Sequence, residues 1–181
     1  MDFFYCVGTL RSPKQRAVIQ VRWIKPPAGW FKLNSDRASC GNPSKAGGGG
    51  VLRDCNGMRI RGNARSIGYA SSIVVEFWAL RDGLKMALNE GIQRLIVELD
   101  AKVVVDLIKT NAATNKPYAP LLYDCMYLLT RFNQAQVVHV YREGNCCADG
   151  AVTCWKGLLF LIGHQMMIFC IYLVGIRMAW L

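Results

Sequence analysis

The 181 residues are enough for one domain of ordinary size with extensions, and a content of 52% hydrophobic and 19% charged residues excludes a disordered chain. The formal net charge of +10 favours a polyanionic partner, nucleic acid or an anionic membrane surface, over an acidic protein substrate. The eight cysteines form no Cys-x-x-Cys pair and no secretory signal is evident, so we expect reduced cysteines in an intracellular protein of the nucleus or cytoplasm.

The first half of the chain predicts three meandering strands. The first strand is expected over Trp30–Asp36, and the stretch Ser39–Lys45 reads as a loop. The glycine run Gly47–Gly50 leads into a second strand that ends at Arg53. The dipeptide Asn56-Gly57 then predicts a hairpin turn into a third strand over Met58–Ser66.

The second half alternates helices with strands, which predicts a mixed sheet with helices on its faces. Ser71-Ser72 can cap the first helix, which is expected to carry Glu76 in its first turn. Asn145 can likewise cap a last helix that carries Asp149 in its first turn. The elements between are expected, in order, as a helix ending at Gly91, a strand over Arg94–Asp100, helices over Ala101–Lys109 and Leu121–Phe132, and a strand over Gln136–Tyr141.

Four carboxylates occupy the ends of these predicted elements. Asp36 and Asp100 end strands, whereas Glu76 and Asp149 lie near helix starts. Carboxylate oxygens suit hard cations such as Mg²⁺, and two such ions can activate a water and stabilise a leaving oxygen in phosphodiester cleavage. Any domain of this size has acids at element ends, so the spacing alone leaves a metal nuclease as one hypothesis among others.

Local motifs give a more specific indication. Five of them, in the same order, resemble those of the type-1 ribonuclease H fold. As a set they are similar to the plant reverse-transcriptase-like ribonuclease H family, which is related to domains of non-LTR retroelements. The motifs are KLNSDRA at Lys32–Ala38, GGGVLRDCNG at Gly48–Gly57, VEFWAL at Val75–Leu80, VELD at Val97–Asp100 and HVYREGNCCAD at His139–Asp149.

The resemblance implies a ribonuclease H-like mixed five-stranded α/β sheet with helices on both faces. It also implies a monomeric enzyme that cleaves the RNA strand of RNA–DNA hybrids endonucleolytically, with two Mg²⁺ or Mn²⁺ ions. By position, the catalytic residues and metal ligands would be Asp36, Glu76, Asp100 and Asp149. We also expect contacts to backbone phosphates from the arginines Arg59, Arg61, Arg65 and Arg142.

One departure from the family pattern bears on activity. Arg37 stands where the family has glycine after the first aspartate, and its cation is expected to pair with Asp36 and compete with Mg²⁺. A second departure is Gly150, which weakens the last helix by roughly 1 kcal/mol relative to alanine. The alternative to an active nuclease is therefore a catalytically impaired, nucleic-acid-binding remnant of the same fold.

The sequence divides into three parts. Residues 1–24 read as a basic, poorly ordered lead-in, residues 25–154 as the ribonuclease H-like domain and residues 155–181 as a hydrophobic tail. The tail is long enough for one membrane span, although His164 and Gln165 fall inside it. A membrane helix, an apolar helix packed on protein and read-through of non-coding sequence all remain open for it.

Overall fold

The computed structural model describes residues 22–39, 44–111, 116–142 and 145, and these form five strands and three helices. In chain order the elements are β1 (Phe31–Ser39), β2 (Ser44–Arg53), β3 (Arg59–Ala70), α1 (Ser72–Asn89), β4 (Arg94–Leu99), α2 (Lys102–Thr110), α3 (Ala119–Leu129) and β5 (Gln134–His139).

The strands form one mixed five-stranded sheet, as predicted, and their order in it is β3-β2-β1-β4-β5. β1 pairs antiparallel with β2 and parallel with β4, and β4 pairs parallel with β5. The three helices contact one another and so form one layer, in which α1 packs on β1, β2 and β3. The predicted last helix with Asp149 and the apolar tail lie outside the described residues.

The first three strands are longer than the sequence predicted. The stretch Ser39–Lys45 was expected to be a loop, but β1 continues to Ser39 and β2 begins at Ser44. The reason is that backbone pairing extends through the glycine run as far as the partners Ser39 and Ala46. β3 likewise runs beyond Ser66, because its pairing with β2 resumes after an irregularity beside Gly68, whose φ is +80°.

The third helix and the last strand begin about two residues earlier than predicted. Pro120 lies in the first turn of α3, where its missing N–H costs no helical hydrogen bond. β5 starts at Gln134 because it pairs in register with the whole of β4, from Arg94 opposite Gln134 to Leu99 opposite His139. No helix among the described residues is long and apolar enough to cross a membrane.

Close packing of α1 on the sheet fixes the height of that helix. A Cβ atom on Gly48 would lie only 2.7 Å from the Cβ of Ala79 and 3.3 Å from the carbonyl oxygen of Val75. Leu33 packs beneath Gly83 in the same way, and both Leu33 and Phe77 are fully buried. The absence of side chains at these two glycines therefore lets α1 pack closely on β1 and β2.

Candidate active site

Three of the four predicted acids meet at one end of the sheet. Parallel pairing of β1 with β4 sets Ser35 opposite Leu99, so that Asp36 and Asp100 follow at the same level. Glu76 comes from α1. The sequence predicted it in the first turn of that helix, but it is the fifth helical residue. One carboxylate oxygen from each acid lies within 4.8 Å of the other two.

These acids are largely withdrawn from solvent. Asp36 is 3% exposed and Glu76 is 2% exposed, whereas Asp100 is half-buried. Burial, followed by the nearby carboxylates of Asp100 and Asp36, raises the pKa of Glu76 from 4.5 to about 8. The Arg37 guanidinium opposes this rise without cancelling it. The cluster therefore carries an excess of negative charge that favours a bound cation.

The second observation that points to a cation is a pair of buried oxygens without donors. Glu76 Oε2 and Asp100 Oδ1 accept no hydrogen bond within the described part of the chain. Buried carboxylate oxygens normally have partners, and a missing partner at such a position indicates an ion or water. Oxygen ligands from two or three carboxylates match the preference of Mg²⁺ and Mn²⁺. The residues present therefore fit a divalent metal ion.

Arg37 contacts one acid of β1 and one acid of α1. Its backbone N–H donates to Asp36 Oδ1 at 2.7 Å, while its guanidinium Nε lies 2.9 Å from Glu76 Oε1. The sequence predicted Asp36 as the partner of this cation, whereas the guanidinium contact found in the structure is with Glu76. The reason is strand geometry: successive side chains point to opposite faces of a sheet, and that of Arg37 points towards α1.

A buried polar network on the opposite face of β1 was not predicted. Lys32 Nζ lies 2.6 Å from Glu98 Oε1, and Asn34 Nδ2 donates to Glu98 Oε2 at 2.8 Å and to Asn145 Oδ1 at 3.0 Å. Asn145 Nδ2 in turn donates to the carbonyl oxygen of Ser35 at 2.9 Å. The network ties β1, β4 and residue 145 together next to Asp36. The sequence pattern that could have predicted it is the alternation of side chains along a strand, which places Lys32 and Asn34 on the same face as Asp36.

The N-terminal stretch covers this network. Trp23 Nε1 donates to Asn34 Oδ1 at 3.0 Å, and its ring lies 5.3 Å from Lys32 Nζ and 5.4 Å from the Arg53 guanidinium carbon. The carbonyl oxygen of Ile24 accepts a hydrogen bond from Lys32 at 2.5 Å. Trp23 and Ile24 therefore contact the sheet, although the sequence placed them in the lead-in.

The predicted phosphate-binding arginines have different surroundings. Arg61 forms an ion pair with Glu90, and Arg65 lies 2.5 Å from Asp82 and stacks on Trp78 at 4.7 Å. Asp82 of α1 and Glu90, the residue directly after α1, thus pair with these two side chains. Arg59 and Arg142 are exposed, as the first residue of β3 and a residue shortly after β5.

The sequence profile of the family described as "Reverse transcriptase-like" matches residues 34–154. This match covers well over half of the chain and contains Asp36, Glu76 and Asp100. The chain belongs to this reverse transcriptase-like family.

Similar proteins agree with membership of the reverse transcriptase-like family. A protein of Arabidopsis thaliana named as a ribonuclease H protein is 39% identical over 130 residues, covering 72% of this chain but only 21% of its own length. The chain therefore spans about a fifth of that relative. A protein of Enterococcus faecalis named as the hydrolase EbsB is 31% identical over 122 residues, covering 66% of this chain and 88% of its own length.

A solved structure shows the same fold. RNase H1 from the halophilic archaeon Halobacterium salinarum superposes with a TM-score of 0.67 at 27% sequence identity, covering 72% of this chain and 99% of that one. The mixed five-stranded sheet with its helices is therefore an RNase H fold. Asp149 remains a prediction as the fourth acid, because it lies outside the described residues.

Proposed function

We propose that this domain hydrolyses the RNA strand of RNA–DNA hybrids as a divalent-metal-dependent endonuclease. The observation that carries the proposal is the convergence of Asp36, Glu76 and Asp100, with donorless oxygens on Glu76 and Asp100. Membership of the reverse transcriptase-like family and likeness to an RNase H1 support the choice of substrate. Asp149 is proposed as the fourth acid of this site.

Asp36, Glu76 and Asp100 would hold Mg²⁺ or Mn²⁺ at the end of the sheet. A metal ion bound there would lower the pKa of a coordinated water and stabilise negative charge on the leaving oxygen. In the hydrolysis, a water oxygen forms a bond to phosphorus and one bridging P–O bond breaks. The water gives up a proton to solvent, and the released oxygen takes one up.

Discrimination between RNA and DNA is assigned to Glu76. A protein distinguishes the two strands by the 2′-hydroxyl, which can donate a hydrogen bond to a carboxylate. Glu76 Oε2 has no donor among the described residues, and its high pKa reflects poor solvation of the charge. A 2′-hydroxyl next to the cleaved bond would satisfy this oxygen, whereas DNA offers nothing in its place.

Affinity for the hybrid is assigned to exposed cations. Arg59 and Arg142 are exposed and suit contacts with backbone phosphates, which give affinity without sequence readout. Arg61 and Arg65 are held by Glu90 and Asp82, so a phosphate would have to compete with these acids. We therefore propose Arg59 and Arg142 as the main phosphate contacts of the four predicted arginines.

A cleavage assay tests the proposal. The domain is incubated with Mg²⁺ and an end-labelled RNA–DNA hybrid, with double-stranded RNA and double-stranded DNA in parallel. Cleavage of the RNA strand of the hybrid is expected, and its loss with chelator and in Asp100→Asn. The matched control is Asp106→Asn, because Asp106 is an exposed acid on α2 that pairs with Lys102. Equal cleavage by Asp100→Asn and the intact domain would show that the metal site is wrong.

The second candidate is a binding module without turnover, and the Arg37–Glu76 ion pair favours it because a guanidinium occupies the flank of an acid needed for metal binding. Its expected result is hybrid binding without cleavage at any Mg²⁺ concentration, with cutting gained in Arg37→Gly. Cleavage by the intact domain at millimolar Mg²⁺ would exclude this candidate.

A further inference from the structure

The side-chain amide of Asn145 joins the chain that follows β5 to the end of β1. Its Nδ2 donates to the carbonyl oxygen of Ser35 at 2.9 Å, and its Oδ1 accepts from Asn34 Nδ2 at 3.0 Å. The residue is only 1% exposed. Ser35 directly precedes Asp36, so Asn145 is anchored beside the backbone that carries one acid of the cluster.

The orientation of both amides is determined by their neighbours. A carbonyl oxygen and a carboxylate only accept hydrogen bonds, whereas an indole nitrogen only donates. The Ser35 carbonyl oxygen therefore requires the N–H groups of Asn145, and the Glu98 carboxylate requires those of Asn34. Trp23 Nε1 donates to Asn34 Oδ1 and so requires the same orientation of that amide. The anchor is therefore a single arrangement of hydrogen bonds.

The chain that leaves β5 passes the end of β4 before it reaches this anchor. β4 lies between β5 and β1 in the sheet. The Val140 N–H donates to the carbonyl oxygen of Leu99 at 2.9 Å, so the chain still follows β4 at that point. Asn145, five residues later, has reached β1. Its contact therefore fixes the starting point of the segment in which Asp149 follows four residues further on.

We propose that Asn145 is a positioning residue of the metal site, whose anchor on β1 brings Asp149 within reach of Asp36, Glu76 and Asp100. Four residues of extended chain span at most about 14 Å, so the anchor limits the volume that the Asp149 carboxylate can sample. Ordering a ligand before the ion arrives reduces the entropy that is lost on binding. The inference rests on the proposed function, because it takes Asp149 as the fourth acid of that site.

The location of the hydrogen-bonded network favours positioning over a purely stabilising role. Asn34 and Glu98 each stand two residues before an acid of the cluster, at the ends of β1 and β4. Hydrogen bonds add little net stability, since the same groups bond to water in the unfolded chain. A buried network in which every member is satisfied does, however, specify one arrangement of the segments that it joins.

A double-mutant cycle in Mn²⁺ affinity tests this inference without any nuclease assay. Isothermal titration calorimetry gives the dissociation constant of Mn²⁺ for the intact chain, for Asn145→Ala, for Asp149→Asn and for the double variant. Leu128→Ala truncates a buried leucine of α3 and is the control for a loss of stability. A thermal melt confirms that each protein is folded at the temperature of the titration. Asn145→Ser replaces Asn145→Ala in the cycle if the alanine variant does not fold.

Asn145→Ala and Asp149→Asn are each expected to weaken Mn²⁺ binding by about tenfold or more, as is usual for residues that orient or supply metal ligands. The double variant should bind no more than about twofold more weakly than Asp149→Asn alone, because Asn145 acts through Asp149. Leu128→Ala should bind Mn²⁺ as tightly as the intact chain does.

Losses that multiply in the double variant, or unchanged affinity in either single variant, would overturn the inference and leave the metal site of the other three acids standing. An equal loss in Leu128→Ala and Asn145→Ala would also overturn it, because affinity would then follow stability. Absence of Mn²⁺ binding by the intact chain would overturn the inference together with the proposed function.

Discussion

Lys32 and Glu98 form a buried ion pair between neighbouring parallel strands, with Nζ 2.6 Å from Oε1 and both residues less than a tenth exposed. The pair joins β1 to β4 on the face of the sheet opposite α1. Asn34 donates to the second oxygen of Glu98, so the carboxylate is bound through both of its oxygens. Lys32 therefore matters for stability more than a surface lysine does.

Replacing Lys32 is expected to destabilise the domain. Lys32→Met leaves Glu98 buried without its cation, which costs about 3–5 kcal/mol of unfolding free energy. The double variant Lys32→Met/Glu98→Gln removes the uncompensated charge and keeps an acceptor for Asn34, so at least half of the loss is expected to return. Urea denaturation of both variants measures this. A single-variant loss below about 0.5 kcal/mol would mean that the pair behaves like an exposed one.

The high pKa of Glu76 predicts a pH dependence of stability in the metal-free domain. The carboxyl titrates at about 8 in the folded state and at 4.5 when unperturbed, so the unfolded state loses its proton first as the pH rises. Unfolding free energy contributed by this group is therefore lost progressively between these two pH values. Glu76→Gln is expected to abolish this pH-dependent loss of unfolding free energy, which is on the order of a few kcal/mol.

Denaturation in chelator at pH 5 and pH 8.5 measures the effect of Glu76→Gln. The matched control is Glu90→Gln, which changes the acid directly after α1 that pairs with Arg61. The stability difference between the two pH values should shrink for Glu76→Gln alone. The same difference in all three proteins would show that Glu76 is ionised at little cost.

Metal binding is expected to stabilise the fold. An ion that binds only the folded state adds about 2.7 kcal/mol at a hundred times its dissociation constant, which corresponds to several degrees of Tm. Mn²⁺ should raise the Tm of the intact domain and of Asp106→Asn, and chelator should reverse the rise. Asp100→Asn should respond little, because its neutral amide removes one carboxylate charge from the cluster. An equal rise in both variants would place the binding site elsewhere.

Adding one methyl group at Gly48 is expected to disturb both packing and the site. The new Cβ would clash with Ala79, so α1 must move away from β2. Overpacking of this kind typically costs 1–3 kcal/mol. Because Glu76 lies on the same helix, Mn²⁺ affinity should fall together with the unfolding free energy. Ala64→Gly, a loss of one methyl from the neighbouring strand, is the control, and it should lower stability without weakening Mn²⁺ binding.

Much of this arrangement could be predicted from the sequence. Motifs and turn residues gave the order of five strands and three helices, and strand ends placed Asp36 and Asp100 at a common edge. The ion-pair partners of the arginine side chains could not be predicted in the same way. Whether Arg37 faces Glu76, and whether Arg61 and Arg65 face Glu90 and Asp82, depends on how the helix packs over the sheet, which local patterns do not encode.

Strand ends were the other point at which prediction was wrong. The bounds of β2 depend on pairing through a glycine run that has little propensity for strands by itself. The neighbouring strand β1 pairs with it as far as Ala46, and β3 extends it to Ser44, which pairs with Ala70. Such lengths are set by the partner strand, so they become visible only when the sheet is assembled.

The parallel pairing of β1 with β4 also has a consequence for how the protein matures. Asp36 and Asp100 are 64 positions apart in the chain and become neighbours only when that pairing is complete. Contacts between distant parts of a chain form slowly because a long loop must close first. A newly made chain would therefore assemble the cluster of Asp36, Glu76 and Asp100 late, after β1, β2 and β3 have met.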